Sequence, residues 1–306
     1  MLALVATHRP DAPVEIRTVD EPSPGPDEAL IEVRAFALNR GELTLLATRP
    51  DGWRPGQDIA GVVLRQAADG SGPAEGTRVV CLVDEAGWSQ RVAVPVSRLG
   101  VLPESVGFAQ AASLPVAGLT ALRALRVGGS LLGRRVLVTG ASGGVGSLAV
   151  QLSALAGAHV AGIASNERRE DVLRLGADEV FPDMDAAGGQ FDLILESVGG
   201  SSLKNAIRLI APDGTIVVFG NSSREQTSIG FADFAGHARA TIFAFFVYES
   251  PHVELFGQDL AYLASLVEDG KLRPQVGLEL GWQEIDRGID ALRNRQVAGK
   301  VVFTVD

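Results

Sequence analysis

The chain is poor in cysteine and histidine. Cys81 is the single cysteine among 306 residues, and the four histidines, His8, His159, His237 and His252, are scattered along the sequence. One cysteine excludes an internal disulfide bond and any zinc site built from several thiolates. A catalytic zinc ion needs three protein ligands of the Cys, His or acidic type. Since the sequence offers no such set, we expect no metal site.

Positive charge and long apolar runs are also lacking. The chain has 27 Lys and Arg against 37 Asp and Glu, which gives a formal net charge of −10 at pH 7. Nucleic acids and anionic membranes both need a basic face, so this balance argues against either partner. The sequence contains no apolar run long enough to span a bilayer and no secretion signal. We therefore expect a soluble, cytoplasmic protein.

A glycine-rich turn between a strand pattern and a helix pattern is the most informative stretch. Residues 136–138 are a short aliphatic run typical of a buried parallel strand, and residues 147–156 have the pattern of a helix. A strand, a glycine turn and a helix form the first unit of a dinucleotide-binding fold, where the helix N-terminus binds the pyrophosphate. The predicted pyrophosphate-binding residues are Ser142, Gly143, Gly144, Val145 and Gly146.

The glycine spacing departs from the strict G-x-G-x-x-G fingerprint at one position. Ala141 stands where the first glycine belongs, whereas Gly143 and Gly146 keep the second and third places and Gly140 precedes them. A plain glycine-rich turn is the alternative interpretation. The strand before it, the helix after it and the β-α units downstream favour the dinucleotide site.

The strand and helix patterns divide the chain into two domains. Residues 1–115 contain short strands separated by glycine and proline, a pattern that favours a small antiparallel barrel or sandwich. Residues 116–265 alternate strands and helices, which predicts a parallel sheet with helices on both faces. The final strand pattern, at residues 300–305, is expected to rejoin the first domain. That domain then comprises residues 1–115 and 266–306.

Several short stretches together carry a family resemblance. They lie at residues 56–61, 76–79, 111–122, 138–146, 175–178, 198–200 and 299–302. In combination they resemble the zinc-free medium-chain dehydrogenase/reductase superfamily, in its quinone oxidoreductase-like branch. Gln57 stands where the zinc branch has a histidine ligand. The resemblance implies an α/β fold: a doubly wound Rossmann sheet plus a discontinuous GroES-like β-barrel domain, with NADPH in the cleft between them. It also implies reduction of a quinone or of a C=C bond conjugated to a carbonyl.

The segment after the second strand of the predicted Rossmann sheet concerns the choice of cofactor. Ala164, Ser165 and Asn166 follow that strand, whereas NAD sites usually place an acidic residue there to hold the ribose 2′-hydroxyl. Arg168 comes shortly afterwards, and a guanidinium can bind a 2′-phosphate bidentately. By resemblance, Ser165 and Arg168 fall on the 2′-phosphate positions of the family. The alternative is that Arg168 belongs to a solvated first turn of helix.

Further candidate residues follow later strands or lie in the first domain. By resemblance, Asn39 and Thr120 face the nicotinamide end of the cleft, and local capping or turn hydrogen bonds are the alternative. Tyr248 follows the sixth strand pattern and is the candidate proton donor, with water as the other source. The remaining predicted cofactor contacts are Val198, Gly220, Asn221 and Phe245. Gly220 and Asn221 end a strand at the carboxyl edge, where open α/β sheets bind ligands; for Phe245, core or dimer packing is the alternative.

Three functions remain open at this point. The first is an NADPH-dependent reductase of quinones or enones, and the second is an enoyl-thioester reductase in a biosynthetic pathway. The third is a protein that binds NADPH without turnover. A serine hydrolase has little support, because Ser142 lies in Ala-Ser-Gly and outside a G-x-S-x-G elbow. The apolar run at residues 241–247 would suit edge-to-edge sheet pairing in a homodimer.

Overall fold

The computed structural model describes residues 1–7, 9, 11–249 and 252–305, so His8 lies outside the described residues. The chain divides into two units. The first unit comprises Met1–Leu119 and Pro251–Asp306, and the second comprises Thr120–Ser250. Each unit has its own sheet and its own hydrophobic core.

Strands alternate with helices most regularly in the middle of the chain. The strands are β1 (Leu2–Ala6), β2 (Val14–Thr18), β3 (Glu28–Leu38), β4 (Asp58–Arg65), β5 (Arg78–Leu82), β6 (Arg91–Pro95), β7 (Leu99–Val101), β8 (Arg135–Val138), β9 (His159–Ile163), β10 (Glu179–Phe181), β11 (Phe191–Glu196), β12 (Ile210–Val218), β13 (Thr241–Ala244), β14 (Val276–Gly281) and β15 (Lys300–Thr304). The α-helices are α1 (Arg40–Thr48), α2 (Phe108–Ala112), α3 (Pro115–Val127), α4 (Gly144–Leu155), α5 (Arg169–Arg174), α6 (Gly200–Leu209), α7 (Phe256–Glu268) and α8 (Ile285–Arg293).

The first unit is organised around the long strand β3. One part of β3 pairs antiparallel with β6, another with the C-terminal strand β15, and β4 runs along most of its other side. The sheet continues in the order β14-β15-β3-β4-β5-β7. Phe36 lies at the centre of the core, stacked against Trp88 and Phe303 with ring centroids 5.5 and 5.1 Å away. Because β15 supplies Phe303 and pairs with β3, the C-terminal strand contributes to this core.

The second unit contains a parallel six-stranded sheet. Its order is β10-β9-β8-β11-β12-β13, and every neighbouring pair is parallel. Numbered within the unit, this is the order 3-2-1-4-5-6 of the doubly wound dinucleotide-binding fold. The predicted Rossmann sheet is therefore confirmed. Strand order reverses between β8 and β11, which are neighbours in the sheet although β9 and β10 separate them in sequence.

Two features differ from the sequence-based expectation. The sixth strand of the sheet was expected over residues 241–247 but ends at Ala244, and a 3₁₀ turn follows at Val247–Glu249. The second domain was expected to extend to residue 265, whereas α7 belongs to the first unit. The reason is a close approach of backbones. A Cβ added at Gly257 of α7 would lie 2.6 Å from the carbonyl oxygen of Leu99, at the start of β7.

Candidate functional site

The first turn of α4 packs closely against the glycine turn that follows β8. Gly140 has a positive φ of 58°, and α4 begins at Gly144. A Cβ added at Gly146 would lie 2.2 Å from the carbonyl oxygen of Gly140 and 2.8 Å from Cα of Ala141. Since atoms cannot approach so closely, only glycine fits at residue 146 without moving the backbone. The predicted segment Ser142–Gly146 thus forms the turn and the first turn of α4.

The carboxyl ends of the parallel strands gather the other predicted cofactor residues at one edge of the sheet. Because neighbouring strands run in the same direction, the loops that follow them leave the sheet at the same edge. Ser165 follows β9, and Val198 follows β11. Gly220 and Asn221 follow β12, while Phe245 follows β13. The structure therefore places all of these at the edge where Ser142–Gly146 follows β8.

Ser165 and Arg168 begin and end a short turn at this edge. Ser165 is exposed and precedes a 3₁₀ turn over Asn166–Arg168. Arg168 forms an ion pair with Asp171 at 3.9 Å, and both side chains are partly exposed. Exposed pairs of this kind contribute little to stability. The neighbouring Arg169 donates a hydrogen bond to the carbonyl oxygen of Val180 and so has a structural contact.

A buried carboxylate that the sequence analysis did not identify shapes the next loop. Glu196 ends β11, and its side chain accepts hydrogen bonds from the N–H groups of Val198 at 3.0 Å and Gly199 at 2.9 Å. It also accepts one from the Ser202 hydroxyl at 2.8 Å. A charged residue at the end of an apolar strand was the signal that could have revealed it. These bonds fix the backbone around the predicted cofactor residue Val198.

In the first unit, the side chain of Asn39 lies among charged groups. Asn39 immediately precedes α1 and is 9% exposed. Its amide nitrogen Nδ2 donates to Oδ2 of Asp58 at 2.9 Å, and its Oδ1 accepts from Nζ of Lys300 at 2.6 Å. Lys300 also contacts Asp58 Oδ2 at 2.8 Å, which makes a buried ion pair. Asn39 was a predicted site residue, whereas no role was predicted for Asp58 or Lys300.

Glu42 completes this group, which we call the buried polar cluster: Asn39, Glu42, Asp58 and Lys300. Oε2 of Glu42 accepts the backbone N–H of Asn39 at 2.8 Å, and its buried Oε1 has no hydrogen-bond partner among the described residues. Burial, followed by the negative charge of Asp58, raises the pKa of Glu42 to about 8. Glu42 is therefore mostly protonated at neutral pH, and the ion pair within the cluster is the one between Asp58 and Lys300.

Asp58 also connects the cluster to α3, which carries Thr120. Its Oδ1 accepts the backbone N–H of Val116 at 2.8 Å. Thr120, a predicted catalytic residue later in the same helix, is buried. The third predicted catalytic residue, Tyr248, lies in the 3₁₀ turn after β13 and is 42% exposed. Phe245 in the same segment is buried.

The described residues also bear on metals and membranes. Among them, no three His, Cys, Asp or Glu side chains are grouped so as to hold a metal ion. Cys81 is fully buried in the first unit, and burial raises the pKa of its thiol. None of the helices in this part of the chain combines the length and apolar character that crossing a bilayer requires.

Two family models match the chain. The model described as zinc-binding dehydrogenase matches residues 144–264, and the model described as alcohol dehydrogenase GroES-like domain matches residues 25–123. The first match covers most of the second unit, and the second lies mostly in the first unit. The predicted combination of a GroES-like domain with a Rossmann sheet is confirmed.

Named relatives extend the match over nearly the whole chain. The pikromycin polyketide synthase component PikAII of Streptomyces venezuelae is 32% identical over 96% of this chain, which spans 8% of that protein's length. The acryloyl-coenzyme A reductase of Metallosphaera sedula is 28% identical, with 95% of this chain and 96% of the relative covered. The quinone oxidoreductase structure from Thermus thermophilus, also solved with NADPH, is 31% identical. It covers 99% of this chain and 100% of its own, with a TM-score of 0.84.

Proposed function

Because this chain belongs to the quinone oxidoreductase-like branch of the medium-chain dehydrogenase/reductase family, we propose that it is an NADPH-dependent reductase that acts without zinc. Its acceptor is a quinone or a C=C bond conjugated to a carbonyl. The observation that carries this proposal is the edge of the second unit's sheet. There a glycine turn opens α4 while Ser165 and Arg168, in place of an acid, follow β9.

The glycine turn fits the pyrophosphate of a dinucleotide. Gly143, Gly144 and Gly146 carry no side chains that would cover the N–H groups at the start of α4, and the helix dipole favours an anion there. Ser165 and Arg168 are proposed to hold the 2′-phosphate. Val198, Gly220, Asn221 and Phe245 are proposed to contact the remainder of NADPH along the same edge.

Substitution of Arg168 tests the choice of NADPH over NADH. A charge-assisted hydrogen bond contributes about 1.5–3 kcal/mol, so Arg168→Ala should raise KM for NADPH roughly 10- to 100-fold and leave KM for NADH nearly unchanged. Arg174→Ala is the matched control, since Arg174 is an exposed arginine that also pairs with Asp171. Equal effects of Arg168→Ala on both cofactors would remove the assignment.

The proposed chemistry needs alignment and charge stabilisation, with no covalent group from the protein. Bound NADPH would supply the hydride for a new C–H bond at the β-carbon of the enone, and the electron pair of the C=C bond would move toward the carbonyl oxygen to give an enolate. Asn39 is proposed to stabilise the resulting enolate, and Thr120 to line the same region. Tyr248 or water then supplies a proton to the α-carbon. A Tyr248→Phe variant with unchanged kcat and pH profile would assign that proton to water.

An enoyl-thioester reductase is the second candidate function. The similarity to acryloyl-coenzyme A reductase and to a polyketide synthase component favours it. Rates of NADPH oxidation with a naphthoquinone, an alkyl vinyl ketone and crotonyl-coenzyme A would rank the acceptors. Saturable binding of NADPH with no oxidation by any of them would instead support a protein that binds the cofactor without turnover.

We also propose that the protein is a homodimer in the cytoplasm. Strand β13 forms one edge of the second unit's sheet, pairs with β12 alone and exposes all four of its residues, Ile242 and Phe243 among them. An exposed apolar edge favours pairing with a second copy. Light scattering should give twice the 32.0 kDa chain mass, and Ile242→Lys should shift it toward the monomer. A monomeric wild-type protein would contradict this.

A further inference from the structure

The buried polar cluster of the first unit is an expensive arrangement for a fold. Lys300 and Asp58 are both at most 6% exposed at their side chains. Removing two charges from water costs several kcal/mol each, and apolar replacements for such pairs are often neutral or stabilising. Stability alone therefore gives no reason for these two charges. Their contacts with the Asn39 amide suggest a different reason.

The two charged groups permit a single orientation of the Asn39 amide. The ammonium of Lys300 can only donate hydrogen bonds, so it requires Oδ1, whereas the carboxylate of Asp58 can only accept and requires Nδ2. A flipped amide would face donor with donor and acceptor with acceptor. The backbone N–H of the same residue is held by Glu42. Asn39 is thus fixed through both its side chain and its backbone.

This orientation also determines which hydrogen of the amide remains for a further hydrogen bond. Nδ2 carries two hydrogens, and the contact with Asp58 uses one of them. The cation at Oδ1 draws electron density from the amide nitrogen, whereas the carboxylate at the first hydrogen acts in the opposite direction. Asn39 as a whole residue keeps 9% of its surface exposed.

We infer that Lys300 and Asp58 are positioning residues that hold the Asn39 amide in one orientation, so that its second Nδ2 hydrogen is donated to the carbonyl oxygen of the acceptor. This inference rests on the proposed function. Negative charge develops on that oxygen as the hydride forms the new C–H bond at the β-carbon and the π electrons move toward oxygen. A donor fixed before the reaction stabilises this charge without having to reorganise. Asn39 touches the acceptor, whereas Lys300 and Asp58 act through it.

Glu42 gives the cluster a pH dependence. The groups that face it are the Asn39 backbone N–H, Asp58 on β4 and Lys300 on β15. With a pKa of about 8, Glu42 loses its proton in mildly alkaline solution. It then adds a second negative charge beside Asp58 that competes for Lys300. We therefore expect kcat to fall above about pH 8, and expect Glu42→Gln to remove that decrease.

The experiment compares kcat, NADPH binding and folding stability in Lys300→Met and in the double variant Asp58→Asn/Lys300→Met. The acceptors are a naphthoquinone, an alkyl vinyl ketone and crotonyl-coenzyme A. Because loss of one stabilising donor typically costs about 10²- to 10³-fold in kcat, we expect kcat to fall roughly 10²-fold or more in both variants. The dissociation constant for NADPH, measured by nicotinamide fluorescence, should change less than about 3-fold. The reason is that the inferred hydrogen bond goes to the acceptor and not to the cofactor. Lys271→Met, an exposed lysine paired with Asp269, is the control.

The double variant separates positioning from folding. It removes both charges, so it should recover much of the stability lost in Lys300→Met even though kcat remains low. Recovery of kcat together with stability would show a merely structural role and overturn the inference. So would an alkaline decrease in kcat that persists unchanged in Glu42→Gln. A wild-type protein that oxidises NADPH with none of the acceptors would instead overturn the proposed function, and the inference with it.

Discussion

The second unit arranges its predicted ligand-binding residues through backbone turns, whereas the first unit arranges its cluster through charged side chains. The turn at Ser142–Gly146 is formed by consecutive residues. Its conformation requires a residue without a Cβ at position 146. In the first unit, Asn39 and Lys300 are 261 residues apart in the chain and meet because β15 pairs with β3. A site formed by consecutive residues can be recognised as a sequence pattern. A cluster assembled by strand pairing cannot, because its residues are far apart in the chain.

The largest effect expected from this difference is on stability in the first unit. Lys300→Met leaves Asp58 as an uncompensated buried charge, and breaking a buried pair in this way costs about 3–5 kcal/mol. The free energy of unfolding, measured by urea denaturation, should fall by that amount. Asp58→Asn/Lys300→Met should recover most of it. A single variant as stable as the wild type would mean that Asp58 reaches water or takes up a proton.

A second prediction concerns the pH dependence of stability. The pKa of Glu42 is about 8 in the folded protein and near 4.5 in the unfolded chain. Between these values the unfolded chain has released a proton that the folded protein retains, so the free energy of unfolding falls as pH rises. One pKa unit corresponds to about 1.4 kcal/mol. Glu42→Gln should therefore be more stable than the wild type above pH 4.5, by roughly 4 kcal/mol at pH 8 on this scale.

Denaturation midpoints at pH 5 and pH 8 check this prediction. The advantage of Glu42→Gln should be small at pH 5 and should stop growing above about pH 8, where folded and unfolded states are both ionised. Glu104→Gln is a suitable control, because Glu104 is exposed and its contact with Arg78 is a surface ion pair at 3.9 Å. A constant difference between Glu42→Gln and the wild type across this range would contradict a raised pKa.

The contrast between a backbone turn and a side-chain cluster also explains which features could be predicted from the sequence. The alternation of strands and helices and the turn around Gly146 depend on local patterns, and the predicted Rossmann sheet is confirmed in the structure. Asp58 and Lys300 lie within stretches that carried the family resemblance, but their contact depends on the register of three strands. A charged residue at the start of an apolar strand, as in Lys300-Val301-Val302, was the available signal. Such a charge indicates that Lys300 has an oppositely charged or hydrogen-bonding partner, but it does not identify that partner.

A third prediction tests the backbone site of the second unit. Gly146→Ala places a methyl group 2.2 Å from the carbonyl oxygen of Gly140, and the atoms it meets are backbone. Overpacking costs about 1–3 kcal/mol, and the displaced turn should weaken NADPH binding at least 10-fold, which is about 1.4 kcal/mol. Fluorescence titration with NADPH measures this. Gly188→Ala, where no heavy atom lies within 4 Å, should bind normally.

The smallest effect is expected for a glycine beside the buried polar cluster. Its substitution tests whether glycine is required there, as at residue 146, because a Cβ would meet backbone atoms. Gly41 lies in α1 between Arg40 and Glu42, and a Cβ added there would meet nothing within 4 Å. Alanine is favoured over glycine in a helix by about 0.5–1 kcal/mol, so Gly41→Ala should stabilise the protein by that amount and leave kcat unchanged. Denaturation and steady-state kinetics measure the two quantities. If Gly41→Ala instead destabilised the protein or lowered kcat, the first unit would also depend on close backbone approach, and the contrast between side-chain and backbone construction would not hold.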